Sequence, residues 1–291
     1  MSKSTRSVIT VLSSVFLACF VSWIYLRGRA ASKPIKPPYQ HAFLKVHEGR
    51  RPIVFLQADD ASRSALEGLA QVARENNSSK TSTRSAGLWL DVRLNGSSDL
   101  VLFKDDVLRS GKPVEVATLD ECRAEGIATL SEMAPSLRDT PLVLNLISRR
   151  PGMPQQLLKI WGENKPLDVS TAAIQSEADG IIKELRESTP RGYFGSSQAT
   201  LIQLEVLSSL SLEGLTDLKS DLLISFIKEG QGPRIRDSTL REAHRRGLKR
   251  YAGPVESRSD ADALLAVGYD GLILTERGIW ESLLDVRPQN P

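Results

Sequence analysis

The chain has 291 residues, and its 38 Lys and Arg nearly balance 35 Asp and Glu, so nothing in the charge points to nucleic acid. Of the two cysteines, Cys19 lies in an N-terminal apolar run and Cys122 stands alone in the remainder, which excludes a disulfide within that remainder. An oxidising compartment is neither required nor excluded.

From residue 7 to residue 26 there is no charge, and the stretch VITVLSSVFLACFVSWIYL nearly matches a hydrocarbon core of ~30 Å at ~1.5 Å per residue. A single-pass transmembrane helix over 7–26 is therefore expected, after a short tail over 1–6. Trp23 and Tyr25 suit the headgroup layer, and Arg27 and Arg29 close the run. A cleaved secretory signal competes, with Lys3 and Arg6 before the run and Ala30, Ala31 and Ser32 after it. The run is longer than the ~7–15 residues of a usual signal core, which favours the anchor. Lys3 and Arg6 face Arg27, Arg29, Lys33 and Lys36 across it, so the orientation stays open. The linker over 27–50 carries Pro34, Pro37 and Pro38 and reads as extended, either a solvated spacer or a basic segment on anionic headgroups.

Beyond the linker, over 51–287, apolar runs of strand length alternate with helix-period segments. Strands are expected at 52–56, 87–92, 100–103, 142–147, 171–174, 201–204, 222–226, 248–251 and 270–274. Helices are expected at 62–75, 177–187, 238–246 and 259–267. About eight such repeats in roughly 240 residues fit a (β/α)8 barrel of the TIM type, and strands buried on both faces explain the continuous apolar runs. An open doubly wound sheet has the same rhythm. No glycine-rich nucleotide loop follows the first strand, where Gln57-Ala58-Asp59-Asp60 stands instead.

Three segments carry a resemblance: GLWLDVRLNGSSDLVLFKDDVLR over 87–109, VATLDECRAEGIATLSEM over 116–133, and AVGYDGLILTE over 266–276. In this order and spacing they resemble the glycerophosphodiester phosphodiesterase family, TIM barrels that hydrolyse glycerophosphodiesters with a divalent metal and two histidines. The resemblance implies a site at the C-terminal ends of the strands, and it also shows what this chain lacks. Gln57 and Ala58 stand where the family has a histidine and a phosphate-holding arginine. Trp89 replaces one metal-binding acid, Lys104 replaces the second histidine, and Ile147 replaces another acid, two residues before Arg149. Asp91 is the one metal carboxylate that aligns. A single carboxylate holds calcium or magnesium only loosely, since such ions take about six oxygen ligands.

Asp59, Asp60, Asp91, Lys104, Asp105 and Asp106 are expected near one another at the barrel mouth, as a cation or phosphate site or as helix caps and solvated loop pairs. His41 and His47 fall in the linker and His244 on a basic helix, all with structural or solvated roles. Two functions follow as expectations. One is a membrane-tethered pseudoenzyme that binds a phospholipid-derived phosphodiester or a protein partner. The other is a metal-dependent phosphodiesterase with a rearranged site.

Overall fold

The computed structural model describes residues 15–28, 41, 43, 52–59, 62–79, 82–210, 212, 220–227 and 235–284. In chain order the strands are β1 (Ile53–Gln57), β2 (Ser85–Leu94), β3 (Leu100–Leu102), β4 (Leu142–Leu146), β5 (Ala172–Gln175), β6 (Tyr193–Phe194), β7 (Leu222–Phe226), β8 (Lys249–Val255) and β9 (Gly271–Leu274). β3 turns back antiparallel along β2, and the other eight run parallel in the order β6-β5-β4-β2-β1-β9-β8-β7. Between β6 and β7 a single bridge, Gly195 to Leu222, brings the circuit round. The result is a nearly closed eight-stranded α/β barrel.

The helices are α1 (15–28), whose apolar side chains stay mostly exposed, and, packed around the strands, α2 (Arg63–Ser78), α3 (Leu119–Ala124), α4 (Leu130–Leu137), α5 (Met153–Ile160), α6 (Asp179–Ser188), α7 (Gln198–Ser209), α8 (Asp237–Arg245), α9 (Arg258–Val267) and α10 (Arg277–Leu283). Their starts are written in the sequence. Ser62 accepts from Ala65 N at the head of α2, and Thr118 and Thr129 form capping boxes with Glu121 and Glu132. Each strand presents one face to these helices and one to the barrel axis. Val54, Leu56, Leu88, Leu90, Leu142 and Leu144 pack outward under the helices. Ile53, Phe55, Trp89, Val143, Tyr193, Ile224, Tyr251 and Ile273 fill the axis. Two glycines admit the aromatic rings: a Cβ on Gly87 would sit 2.6 Å from the Phe55 ring, and one on Gly271 2.9 Å from that of Tyr251.

The floor of the barrel is closed from an unexpected direction. Phe43 is fully buried in the axial cluster and stacks on Tyr193 at 5.1 Å. Its backbone N–H donates to Nδ1 of His41, whose other ring nitrogen meets the Arg191 carbonyl. His41 is thus buried, and burial pushes its imidazole pKa down. This end of the linker region is core and not spacer, because an aromatic ring fills the axis below Tyr193.

Other expectations need correction. The run 201–204 is not a strand: it lies in α7, where Ser197 accepts from Thr200 N to cap the first turn and Leu204 alone of the run is buried. The strand of that repeat is the two-residue β6, which ends seven residues before that run, and a four-residue apolar segment does not by itself distinguish strand from helix. The strand expected at 248–251 extends to Val255. α5 and α10 were not anticipated. Residues 7–14 of the expected transmembrane helix, His47, most of the linker and Asp60 lie outside the described residues. The described part, α1, has fourteen residues over 15–28, about 21 Å at 1.5 Å each. Among the described residues no helix is long and apolar enough to cross a membrane.

Candidate functional site

β1, β2, β4 and β7 bring their C-terminal ends together around a cavity of about 770 Å³. Gln57, Asp91, Arg93, Lys104, Asp106, Glu115, Asn145, Ile147, Arg149, Glu177 and Phe226 are among its lining. The parallel register explains the grouping, since Gln57 sits beside Trp89 and Asp91 beside Asn145.

Asp91 is the centre of the floor and is 4% exposed. Its Oδ2 accepts from Gln57 Nε2 at 2.7 Å, and its Oδ1 accepts from Asn145 Nδ2 at 2.7 Å and from the Trp89 indole N–H at 3.1 Å. Both carboxylate oxygens are therefore taken by neutral donors. Trp89 is 2% exposed and lies edge-on to Phe226, with ring centroids 6.4 Å apart, so the indole belongs to the axial packing below the cavity. Bonding to three N–H groups compensates a buried carboxylate without a cation.

Above this floor the charges pair off. Arg93, its side chain 7% exposed, meets Asp106 at 2.5 Å and donates to the Lys104 carbonyl at 2.9 Å. Lys104 Nζ reaches Asp59 at 3.0 Å, and Arg149 reaches Glu177 at 3.4 Å. The Asp59, Lys104, Arg149 and Glu177 side chains are all well exposed, and such surface pairs hold weakly, by about 0–1 kcal/mol. Among the described residues the buried Arg93 Nε–H has no hydrogen-bond partner.

A divalent ion does not fit these residues. Calcium or magnesium needs several oxygen ligands, whereas both Asp91 oxygens already accept N–H bonds and the positions around it present the amide N–H groups of Gln57 and Asn145, the indole of Trp89 and the side chain of Ile147. Among the described residues no three His, Cys, Asp or Glu side chains converge. Asp105 is exposed and absent from the cavity lining, and His244 lies on α8, away from it. Arg93, Glu115, Asn145, Glu177 and Phe226 were not singled out from sequence. Arg93 was within reach of strand alternation, because 89, 91 and 93 share one face of β2.

Fold and cavity together define a TIM-type barrel with a polar pocket at the C-terminal mouth of its strands and a hairpin, β2–β3, at its rim. Solved structures of similar fold include glycerophosphodiester phosphodiesterases. The Oleispira antarctica phosphodiesterase, solved with the product sn-glycerol-3-phosphate, is 16% identical, with TM-score 0.57 over 84% of this chain and 100% of that one. The Thermotoga maritima enzyme is 16% identical, with TM-score 0.56 over 83% of this chain and all of that one. That of Agrobacterium tumefaciens is 12% identical, with TM-score 0.56 over 80% of this chain and 99% of that one. At these identities the likeness is one of fold. No family model matches the sequence, and no curated protein is similar to it in sequence.

Proposed function

We propose that this chain is a membrane-tethered, phosphodiesterase-like barrel that no longer hydrolyses and instead binds a small phosphoester at its mouth. The observation that carries this reading is Asp91, whose two oxygens are engaged by the neutral donors Gln57, Trp89 and Asn145, with no second carboxylate among the described residues bonded beside them to share a metal. Lys104 and Arg149, loosely paired and open to solvent, supply the positive charge for a phosphoryl group. The tether is the uncharged run over 7–26.

The test is a titration of the purified chain in detergent with calcium and with magnesium, beside an assay for release of glycerol 3-phosphate from glycerophosphodiesters. No heat of metal binding and no release are expected, with phosphoester binding weakened by Lys104→Ala. Metal-dependent release abolished by Asp91→Ala would overturn this reading in favour of an active phosphodiesterase. That second reading draws on the open cavity of about 770 Å³ with its charged lining.

A further inference from the structure

Two contacts of the N-terminal region with the barrel lie at the same end. Trp23 Nε1 of α1 donates to the carbonyl of Leu210 at 3.0 Å. Leu210 follows the last residue of α7, a helix that starts just past the C-terminal end of β6 and runs back against the strand direction, so Leu210 belongs to the N-terminal end of the barrel. His41 meets the carbonyl of Arg191, two residues before β6 begins, and Phe43 packs on Tyr193, its first residue. The cavity, by contrast, is lined by Gln57 and Phe226, the last residues of β1 and β7, and by Leu146, the last of β4.

Trp23 also marks a depth. The Arg27 guanidinium lies over its ring at 5.2 Å, and an indole with a cation beside it suits the headgroup layer. On the other side of that level, Phe16, Leu17 and Val21 are 74%, 61% and 57% exposed and make no apolar core with the barrel. The α1 segment therefore leaves the barrel at its floor with its apolar residues free for lipid.

We infer that the barrel stands on the bilayer with its N-terminal end, so that the cavity opens away from the membrane and takes a water-soluble ligand rather than a lipid of the anchoring bilayer. The inference rests on the tether proposed above. A five-residue strand is about 17 Å long at ~3.3 Å per residue, and a tilt of ~36° to the barrel axis leaves the cavity floor roughly 13 Å above the floor of the barrel. An acyl-bearing headgroup in the plane of the membrane does not reach Lys104 or Arg149 across that distance. A soluble phosphoester does.

The experiment uses the full chain with Cys19→Ser, Cys122 being buried, reconstituted in vesicles whose headgroups carry an energy acceptor. A donor dye is placed at Asp139→Cys, in the loop between α4 and β4, or at Glu256→Cys, just after β8. Asp139 is on the floor side and Glu256 on the mouth side. Over a separation of roughly 13 Å along the barrel axis, about twofold more efficient transfer is expected from residue 139 than from residue 256. Equal transfer, or more from residue 256, in chains that float with the vesicles overturns the orientation and leaves the tether standing. Failure to float with vesicles overturns the tether, and the orientation with it.

Discussion

Replacing Asp91 by alanine separates a structural pin from a catalytic relic. The substitution leaves three donors without their shared acceptor. The Trp89 indole N–H is in the packed axis with no water to turn to, and an unmet buried donor costs about 1–3 kcal/mol. Gln57 and Asn145 line the cavity, so their amides reach water and each gives up about 0.5–1.5 kcal/mol. Release of a buried carboxylate from its desolvation works the other way. A net loss near 3 kcal/mol follows, and at about 2–4 °C per kcal/mol for a domain of this size Tm falls by roughly 6–12 °C. Thermal and urea unfolding of both proteins in the same detergent measure it. An Asp91→Ala protein as stable as the wild type, or more so, refutes the reasoning, because groups held ready for catalysis typically cost stability.

Phe43→Ala should empty the axis below Tyr193 and lower unfolding free energy by about 3–5 kcal/mol, as for other buried phenylalanines. A change under about 0.5 kcal/mol in urea unfolding, usual for a surface site, would mean that the ring is not part of the core. Asp221 provides a pH test. Burial pushes its carboxyl up to about 6, against an unfolded value near 3.9, so ionising it penalises the fold increasingly from about pH 4 to about pH 6 and by a constant amount above. Asp221→Asn keeps an acceptor for the Phe194 N–H and should exceed wild-type stability at pH 7.5 by on the order of 2 kcal/mol, the gain vanishing near pH 3.5. Urea midpoints at the two pH values check this, and a pH-independent difference would remove the cause assigned.

Strands with long apolar runs, such as 222–226 and 142–146, were legible because residues facing the axis and residues facing the helices are both hydrophobic. The two-residue β6 was not, since nothing in Tyr193-Phe194 distinguishes a strand from a turn before the barrel closes on it. In the site, Gln57, Asp91, Lys104 and Ile147 were legible only through the resemblance that the sequence carries. The meaning of Trp89 was only half legible: its place two residues before Asp91 is in the sequence, but its bond to Asp91 depends on two side chains of one face of β2 meeting within 3.1 Å. Glu115, Glu177 and Phe226 join from segments far apart in the chain, and only closure of the barrel brings them to one wall. Asp105 shows the limit from the other side, because neighbours in sequence point different ways in a loop.

The bridge from Gly195 to Leu222 has a kinetic consequence. Two strands such as β1 and β2 share a ladder of five registered residues, while β6 and β7 are joined by two backbone bonds, Ser196 N–H to the Leu222 carbonyl and Asp221 N–H to the Phe194 carbonyl, with side-chain bonds of Ser196, Tyr193 and Asp221 making up the rest of the seam. A barrel has no free edge until one is made, and the edge is made where the backbone ladder is shortest. Amide hydrogens of Phe194, Ser196 and Asp221 should therefore exchange with solvent through a partial opening, while those of β1 and β2 wait for unfolding of the whole domain.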